Sequence, residues 1–106
     1  MSQKHGRDKK QQKAIAAHRI AWLFHLAEQA AFEGKLHRAD RYVELARKIS
    51  MRYLVPIPKE FKRRFCTHCY RYLLPGITCR VRISRGMIIT YCSQCKSYTR
   101  IVLHDR

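Results

Sequence analysis

Acidic residues are scarce in this sequence: seven Asp and Glu stand against 23 Lys and Arg, a formal net charge of +16 over 106 residues. The seven are scattered as Asp8, Glu28, Glu33, Asp40, Glu44, Glu60 and Asp105. No close acidic pair is suggested for holding catalytic Mg²⁺, and no Ser-His-Asp or Cys-His set stands out, so the chain is not expected to catalyse by itself. Long apolar runs are also missing. No run approaches the roughly 18 residues of a membrane span, and the opening MSQKHGRDKKQQKA has no apolar core of the kind a signal peptide needs. These absences predict a soluble, cytoplasmic protein of a reducing compartment, with no membrane partner. Its five cysteines are then free to bind metal rather than to form disulfides. A chain this basic repels itself and needs a polyanionic partner. Nucleic acid answers that need through phosphate neutralisation and counterion release. A membrane surface answers it less well, because the basic residues are not confined to one face of one helix.

The chain divides by pattern. Residues 1–13 are polar and basic, including Lys9, Lys10 and Lys13, and have almost nothing to bury; a flexible tail able to order on RNA is expected. Residues 14–33 read as a helix, with Ile15, Trp22, Leu23, Leu26 and Ala30 at helical spacing and Ile20, Phe24, Ala27 and Ala31 widening the stripe. Gly34 suits the left-handed position that ends a helix. Residues 37–50 read as a second helix, antiparallel to the first across a short loop, so 14–54 form a helical hairpin. The stripe of the first helix is wider than the second can cover. Ile15, Trp22, Leu23 and Leu26 are therefore expected to meet another protein chain, rather than the segment that follows. Residues 55–62 read as a Pro-containing linker, in which Val55-Pro56-Ile57-Pro58 runs extended. Residues 63–104 read as three strands: 79–84, half-buried, with Arg80 and Arg82 on one face and Val81 and Ile83 on the other; 87–91, after a Ser84-Arg85-Gly86 turn; and 98–103. The fold class is α+β.

Within that last unit stand two C-x-x-C pairs, Cys66-Thr67-His68-Cys69 and Cys92-Ser93-Gln94-Cys95, separated by residues 70–91. Each pair can form a tight knuckle whose two thiolates converge on one metal, and two knuckles complete a tetrahedron, the arrangement of a zinc ribbon. Four sulfur ligands leave no open position, so one structural Zn²⁺ is expected at Cys66, Cys69, Cys92 and Cys95. A redox C-x-x-C would call for a thioredoxin-like βαβ unit, which the pattern does not offer, and an iron–sulfur cluster is the other competing use of the same cysteines. Cys79 is expected to be a small buried residue and His68 a surface residue.

Around the cysteines the charge is one-sided. Lys59, Lys62, Arg63, Arg64, Arg71, Arg80, Arg82, Arg85, Lys96 and Arg100 face only Glu60, with Tyr70, Tyr72, Tyr91 and Tyr98 interleaved. Arginine forks match phosphate oxygens and tyrosine rings stack on exposed bases. Candidate RNA contacts are Lys9, Lys10, Lys13, Lys62, Arg63, Arg64, Arg80, Arg82, Arg85 and Arg100. An RNA-binding module of the ribosome or transcription machinery is one use of such a ribbon.

A more specific match comes from the order of short motifs: Ile49-Ser50-Met51-Arg52-Tyr53, Pro56-Ile57-Pro58, Arg64-Phe65-Cys66-Thr67-His68-Cys69, Leu74-Pro75-Gly76, Arg80-Val81-Arg82 and Cys92-Ser93-Gln94-Cys95. Together they resemble the ribonuclease P protein component 4 family, the zinc-ribbon subunits of archaeal ribonuclease P. The resemblance implies a non-catalytic subunit of the ribonucleoprotein endonuclease that removes the 5′ leader of precursor tRNA. It also implies binding to ribonuclease P RNA and pairing, through the helical half, with another small protein subunit. Two positions depart from the family, which often has glycine just after each knuckle; here these are Tyr70 and Lys96. A left-handed backbone there would cost each residue about 1 kcal/mol. Thr78 stands where the family tends to have Asn.

Overall fold

The computed structural model describes residues 4–103, with side chains from Lys9 onward. Its elements in chain order are α1 (Lys4–Phe32), α2 (Leu36–Tyr53), α3 (Lys59–Lys62), β1 (Cys79–Ser84), β2 (Met87–Cys92) and β3 (Tyr98–Val102). This is the expected α+β order with a short helix, α3, added in the segment read as a linker, and with a difference at the start. The stretch read as a flexible tail is helical from Lys4; residues 1–3 of that tail lie outside the described residues. Lys, Arg and Gln are good helix formers, and extending a helix that already exists needs no new nucleus. Burial is not required for those first turns.

Gly34 closes α1 with φ 81. Its N–H donates to Ala31 O and the Lys35 N–H reaches back to Ala30 O at 2.8 Å, the paired bonds of a left-handed helix end. The chain then turns into α2, which lies against α1. Ala16, Ile20, Phe24, Ala27 and Ala31 from α1 are buried with Ala39, Val43 and Ala46 from α2, and the alanines on both sides let the helix axes approach. Leu54, left-handed at φ 56, ends α2, and the Val55 N–H returns to Ser50 O. Pro56 then prevents any further helix.

The two helices do not complete this core alone. Ile57, Phe65 and Tyr72 are buried in the same cluster, with Phe61 packed on it. Phe61 lies parallel to Phe24 with ring centroids 4.9 Å apart, and Phe65 stacks on Phe24 at 5.8 Å. The segment read as a linker is therefore part of the core: Ile57 inserts between its two prolines, and α3 presents Phe61. That cover reduces the uncovered part of the α1 stripe. Ile15 and Trp22 remain more than half exposed at 52% and 55%, while Leu23 and Leu26 are half-buried.

The strands form an antiparallel meander in the order β1-β2-β3. Arg85 (φ 51) and Gly86 (φ 74) form its first turn, both left-handed, as a two-residue hairpin of matching twist requires. β1 is not half-buried. Val81 and Ile83 are 49% and 69% exposed, because the helical core reaches the ribbon through Phe65 and Tyr72 and includes no strand residue. Among the described residues no helix is long and apolar enough to cross a membrane.

Candidate metal centre and nucleic-acid interface

The two C-x-x-C segments fold as copies of one another. In the first, the Cys66 N–H donates to Arg71 O at 2.9 Å and the Tyr70 N–H to Cys66 O at 2.7 Å; in the second, Cys92 N–H donates to Ser97 O at 2.9 Å and Lys96 N–H to Cys92 O at 2.7 Å. Both turns need a left-handed residue after the second cysteine, and Tyr70 (φ 65) and Lys96 (φ 60) supply it without being glycine. Tyr70 has a compensating contact: the Arg47 guanidinium lies 3.5 Å from its ring centroid, a cation–π pair. The His68 and Cys69 N–H groups point at Cys66 Sγ, at 3.4 and 3.5 Å.

These turns bring four sulfurs together. Cys66 Sγ is 3.5 Å from Cys95 Sγ, Cys69 Sγ is 3.7 Å from Cys92 Sγ, and all four lie within 4.8 Å of one another. All five cysteines are free thiols. A divalent metal bound to four thiolates at about 2.3 Å has tetrahedral edges of about 3.8 Å, so the cluster can hold a metal ion with little rearrangement. The electrostatics point the same way. Burial pushes the Cys69 thiol up to about 12 and raises Cys92 as well, whereas a hydrogen bond from the Ser97 side chain holds Cys95 down at about 6. Four crowded thiols do not ionise together unaided; a cation supplies the opposing charge. Cys79 lies opposite Cys92 in the β1–β2 register, is buried, and stands outside the four-sulfur cluster. His68 is exposed.

The register of the sheet places the basic residues. Directly opposed residues share a face. Arg80 opposes Tyr91, which opposes Tyr98; on the next rung Arg82 opposes Ile89, which opposes Arg100. Arg80, Arg82 and Arg100 thus share one open face with a tyrosine pair whose ring centroids are 4.8 Å apart, and Arg85 sits at the adjoining turn. A groove of about 510 Å³ runs between Arg80, Arg82, Tyr91 and Tyr98. Lys62 and Arg63 are exposed at the end of α3, and Lys9, Lys10 and Lys13 are exposed along α1. Arg64 differs from the other candidates. It is half-buried, 3.6 Å from Glu28 of α1 and near the Phe61 ring.

Several residues that hold the ribbon together, or tie it to the helices, carry no local sequence signal. Asp40 Oδ1 accepts the Tyr72 N–H at 2.8 Å, linking α2 to the first knuckle. Thr78, buried, accepts the Leu74 N–H at 2.7 Å and donates to Tyr72 O at 2.9 Å. Its own carbonyl receives both the N–H and the hydroxyl of Ser93. Arg71 donates to Gln94 across the two knuckles at 2.9 Å.

Comparison with known proteins agrees with this construction. Residues 19–96 match the family model "RNAse P Rpr2/Rpp21/SNM1 subunit domain". The chain is 50% identical over 88 residues to ribonuclease P protein component 4 of Methanoregula boonei, covering 83% of this chain and 84% of that protein. It is 44% identical over 81 residues to the protein of the same name from Methanosarcina acetivorans, covering 76% and 75%. In structure it superposes on a chain of the cryo-EM structure of archaeal ribonuclease P with mature tRNA, with TM-score 0.77, 41% identity, and 84% and 77% of the two chains covered. It also superposes on Pfu Rpp21, with TM-score 0.58, 40% identity, and 80% and 96% covered. The chain belongs to the Rpr2/Rpp21/SNM1 family of ribonuclease P protein subunits.

Proposed function

We propose that the chain is a non-catalytic protein subunit of ribonuclease P, that it carries one structural Zn²⁺ on Cys66, Cys69, Cys92 and Cys95, and that it grips RNA through the arginine–tyrosine face of its sheet. The observation that carries the RNA reading is the alignment of Arg80, Arg82 and Arg100 beside Tyr91 and Tyr98 on one open face. Arg80 and Arg82 stand about 6.6 Å apart along β1 and Arg100 about two strand spacings, roughly 9.6 Å, across the sheet, a spread over which guanidinium forks can reach neighbouring phosphates while the rings offer stacking surfaces to unpaired bases. Zinc is favoured by the donor set: four soft sulfurs in a closed tetrahedron, with no carboxylate and no open position. When bound, the ion supplies fixed geometry and charge neutralisation. The chain's own residues do the rest, with knuckle N–H groups orienting the sulfurs, Asp40 fixing the segment after the first knuckle against α2, and Thr78 tying that segment to the second knuckle.

The holoenzyme is an endoribonuclease acting on the 5′ end of precursor tRNA, and its RNA carries the chemistry. This chain contributes binding to ribonuclease P RNA and support for substrate recognition, working in the cytoplasm. Ile15, Trp22, Leu23 and Leu26 form the docking surface for another small ribonuclease P protein. A ribosomal or transcriptional role has no observation in its favour. The test is reconstitution: the chain, its protein partner and ribonuclease P RNA at limiting Mg²⁺, with pre-tRNA cleavage measured. Cleavage should rise with the wild-type chain. With Arg82→Ala/Arg100→Ala, RNA affinity should fall and the salt dependence should flatten by about two phosphate contacts. Unchanged cleavage on adding the wild-type chain would overturn the functional reading, and an unchanged salt slope would remove this face from the RNA contacts.

A further inference from the structure

The sheet has a second face, and it is built differently. Opposite the arginines, Val81 opposes Thr90, which opposes Thr99, with Ile83, Ile88 and Ile101 on the next rung. This side looks toward α3 and the first knuckle across a cleft of about 390 Å³, within the range of about 300–1,000 Å³ typical of small-molecule sites. Its lining is chemically mixed. Lys59, Lys62 and Arg63 supply the charge, Phe65, Thr67 and Leu73 come from around the first knuckle, and Ile101 and the cross-strand threonine pair come from the sheet. Glu60, the one acid of α3, does not line it.

We infer that this cleft receives a single unpaired nucleotide of the bound RNA, its phosphate held by Lys59, Lys62 and Arg63 and its base edge read by the hydroxyls of Thr90 and Thr99. The inference rests on the RNA-binding reading above and adds a second, base-contacting site on the reverse of the sheet. Three observations support a nucleotide. First, the charge on the rim is positive and local, as a phosphate requires, while the floor is apolar, as a base face requires. Second, directly opposed residues of an antiparallel pair hold their side chains about 5 Å apart. Two hydroxyls at that spacing can meet neighbouring heteroatoms of one base edge, each as donor or acceptor. Third, no side-chain hydrogen bond among the described residues engages either hydroxyl; the threonines bonded within the fold include Thr78, not Thr90 or Thr99. An apolar side chain from a protein partner would leave those hydroxyls and the three cations without partners.

The test uses the full, metal-loaded chain and methyl NMR, with each of the four nucleoside 5′-monophosphates as probe and ribose 5-phosphate as control. At least one nucleotide should shift the Thr90, Thr99 and Ile101 methyl signals, whereas ribose 5-phosphate should leave them in place. In Thr90→Val/Thr99→Val, a shape-conserving change suited to strands, the base-dependent shift at the retained Ile101 methyls should vanish and affinity for ribonuclease P RNA should fall about tenfold, the scale of two neutral hydrogen bonds. Equal shifts from ribose 5-phosphate would show a phosphate site with no base reading and overturn the inference. So would shifts produced only by the partner protein subunit, or no shifts at all. Because the wild-type chain's effect on pre-tRNA cleavage is measured separately, a negative result here leaves the ribonuclease P reading standing.

Discussion

In the helical hairpin, Ile20, Phe24, Ala27, Ala39, Val43 and Ala46 are almost wholly out of water; in the three-stranded sheet only Cys79 and Cys92 are buried. The first half is held by apolar burial, the second by sulfur and hydrogen bonds. A short chain has too little core for two domains, and here the hydrophobic residues are concentrated at one end. The ribbon borrows part of that core through Phe65 and Tyr72 and leaves both faces of its sheet open. A sheet with no layer over it is a poor folding unit and a good binding surface. A metal ion held on the four-sulfur cluster, as proposed, would make the two properties compatible.

The comparison can be broken most forcefully by removing the metal. Binding free energies of structural zinc in small modules are on the order of 10–16 kcal/mol at neutral pH, more than the sheet's few buried groups can replace. Cys66→Ser should therefore abolish strand signals in NMR spectra while most helical circular dichroism survives at a lower melting temperature, since Phe65 and Tyr72 loosen with the knuckle. Loss of both halves together would mean that the hairpin does not stand on its own core. The pH dependence has a definite sign. Where the four sulfurs are gathered without an ion, burial raises Cys69 and Cys92, which hold their protons at neutral pH, while Cys95, held at about 6, has already ionised. Metal uptake must displace at least the first two protons, so affinity should climb about 100-fold per pH unit near neutrality and fall as the solution is acidified. A pH-independent titration of metal binding would contradict this.

Phe24→Ala is the converse experiment. It removes the ring that stacks on both Phe61 and Phe65, at about 3–5 kcal/mol. The helical melt should collapse while cobalt, substituted for zinc, still shows its tetrahedral thiolate absorbance. Asp40→Ala acts on the join. It leaves the Tyr72 N–H without its charged acceptor, for about 2 kcal/mol, and Asp40→Asn should restore much of that in a chemical-denaturation series. The smallest effect is a gain. Lys96→Gly should stabilise the second knuckle by about 1 kcal/mol, because its φ of 60 is unfavourable for a residue with a side chain. Tyr70→Gly should gain less or nothing, because it also loses the contact with Arg47. Equal gains at both positions would dismiss that cation–π pair as a stabilising contact.

Much of the site was legible from spacing alone. Two C-x-x-C pairs around a strand-turn-strand pattern define a four-sulfur cluster because the knuckle is a local structure, whereas the strained positions Tyr70 and Lys96 stood out only against the glycines of the family the chain resembles. The alternation Arg80-Val81-Arg82 placed two arginines on one face for the same reason. The third, Arg100, joins them only through the β2–β3 register, which no local pattern encodes. Longer-range facts were hidden. Nothing near Ile57 or Phe61 announces that they pack on α1, so the Pro-containing segment read as a linker and the apolar stripe of α1 as more exposed than it is. The ion pair of Arg64 with Glu28 crosses between halves, which charge counting cannot show. The amino-terminal stretch looked flexible because it has little to bury, yet its residues favour helix once α1 is in place.

The most direct measurement is native mass spectrometry of reduced protein purified without chelator or added metal, paired with an amide NMR spectrum of the same sample. The expected result is a single zinc per chain, with dispersed β-strand resonances that collapse when a strong chelator strips the ion. A chain that carries no metal and nevertheless keeps those resonances would show that the sulfurs do not hold the sheet in shape.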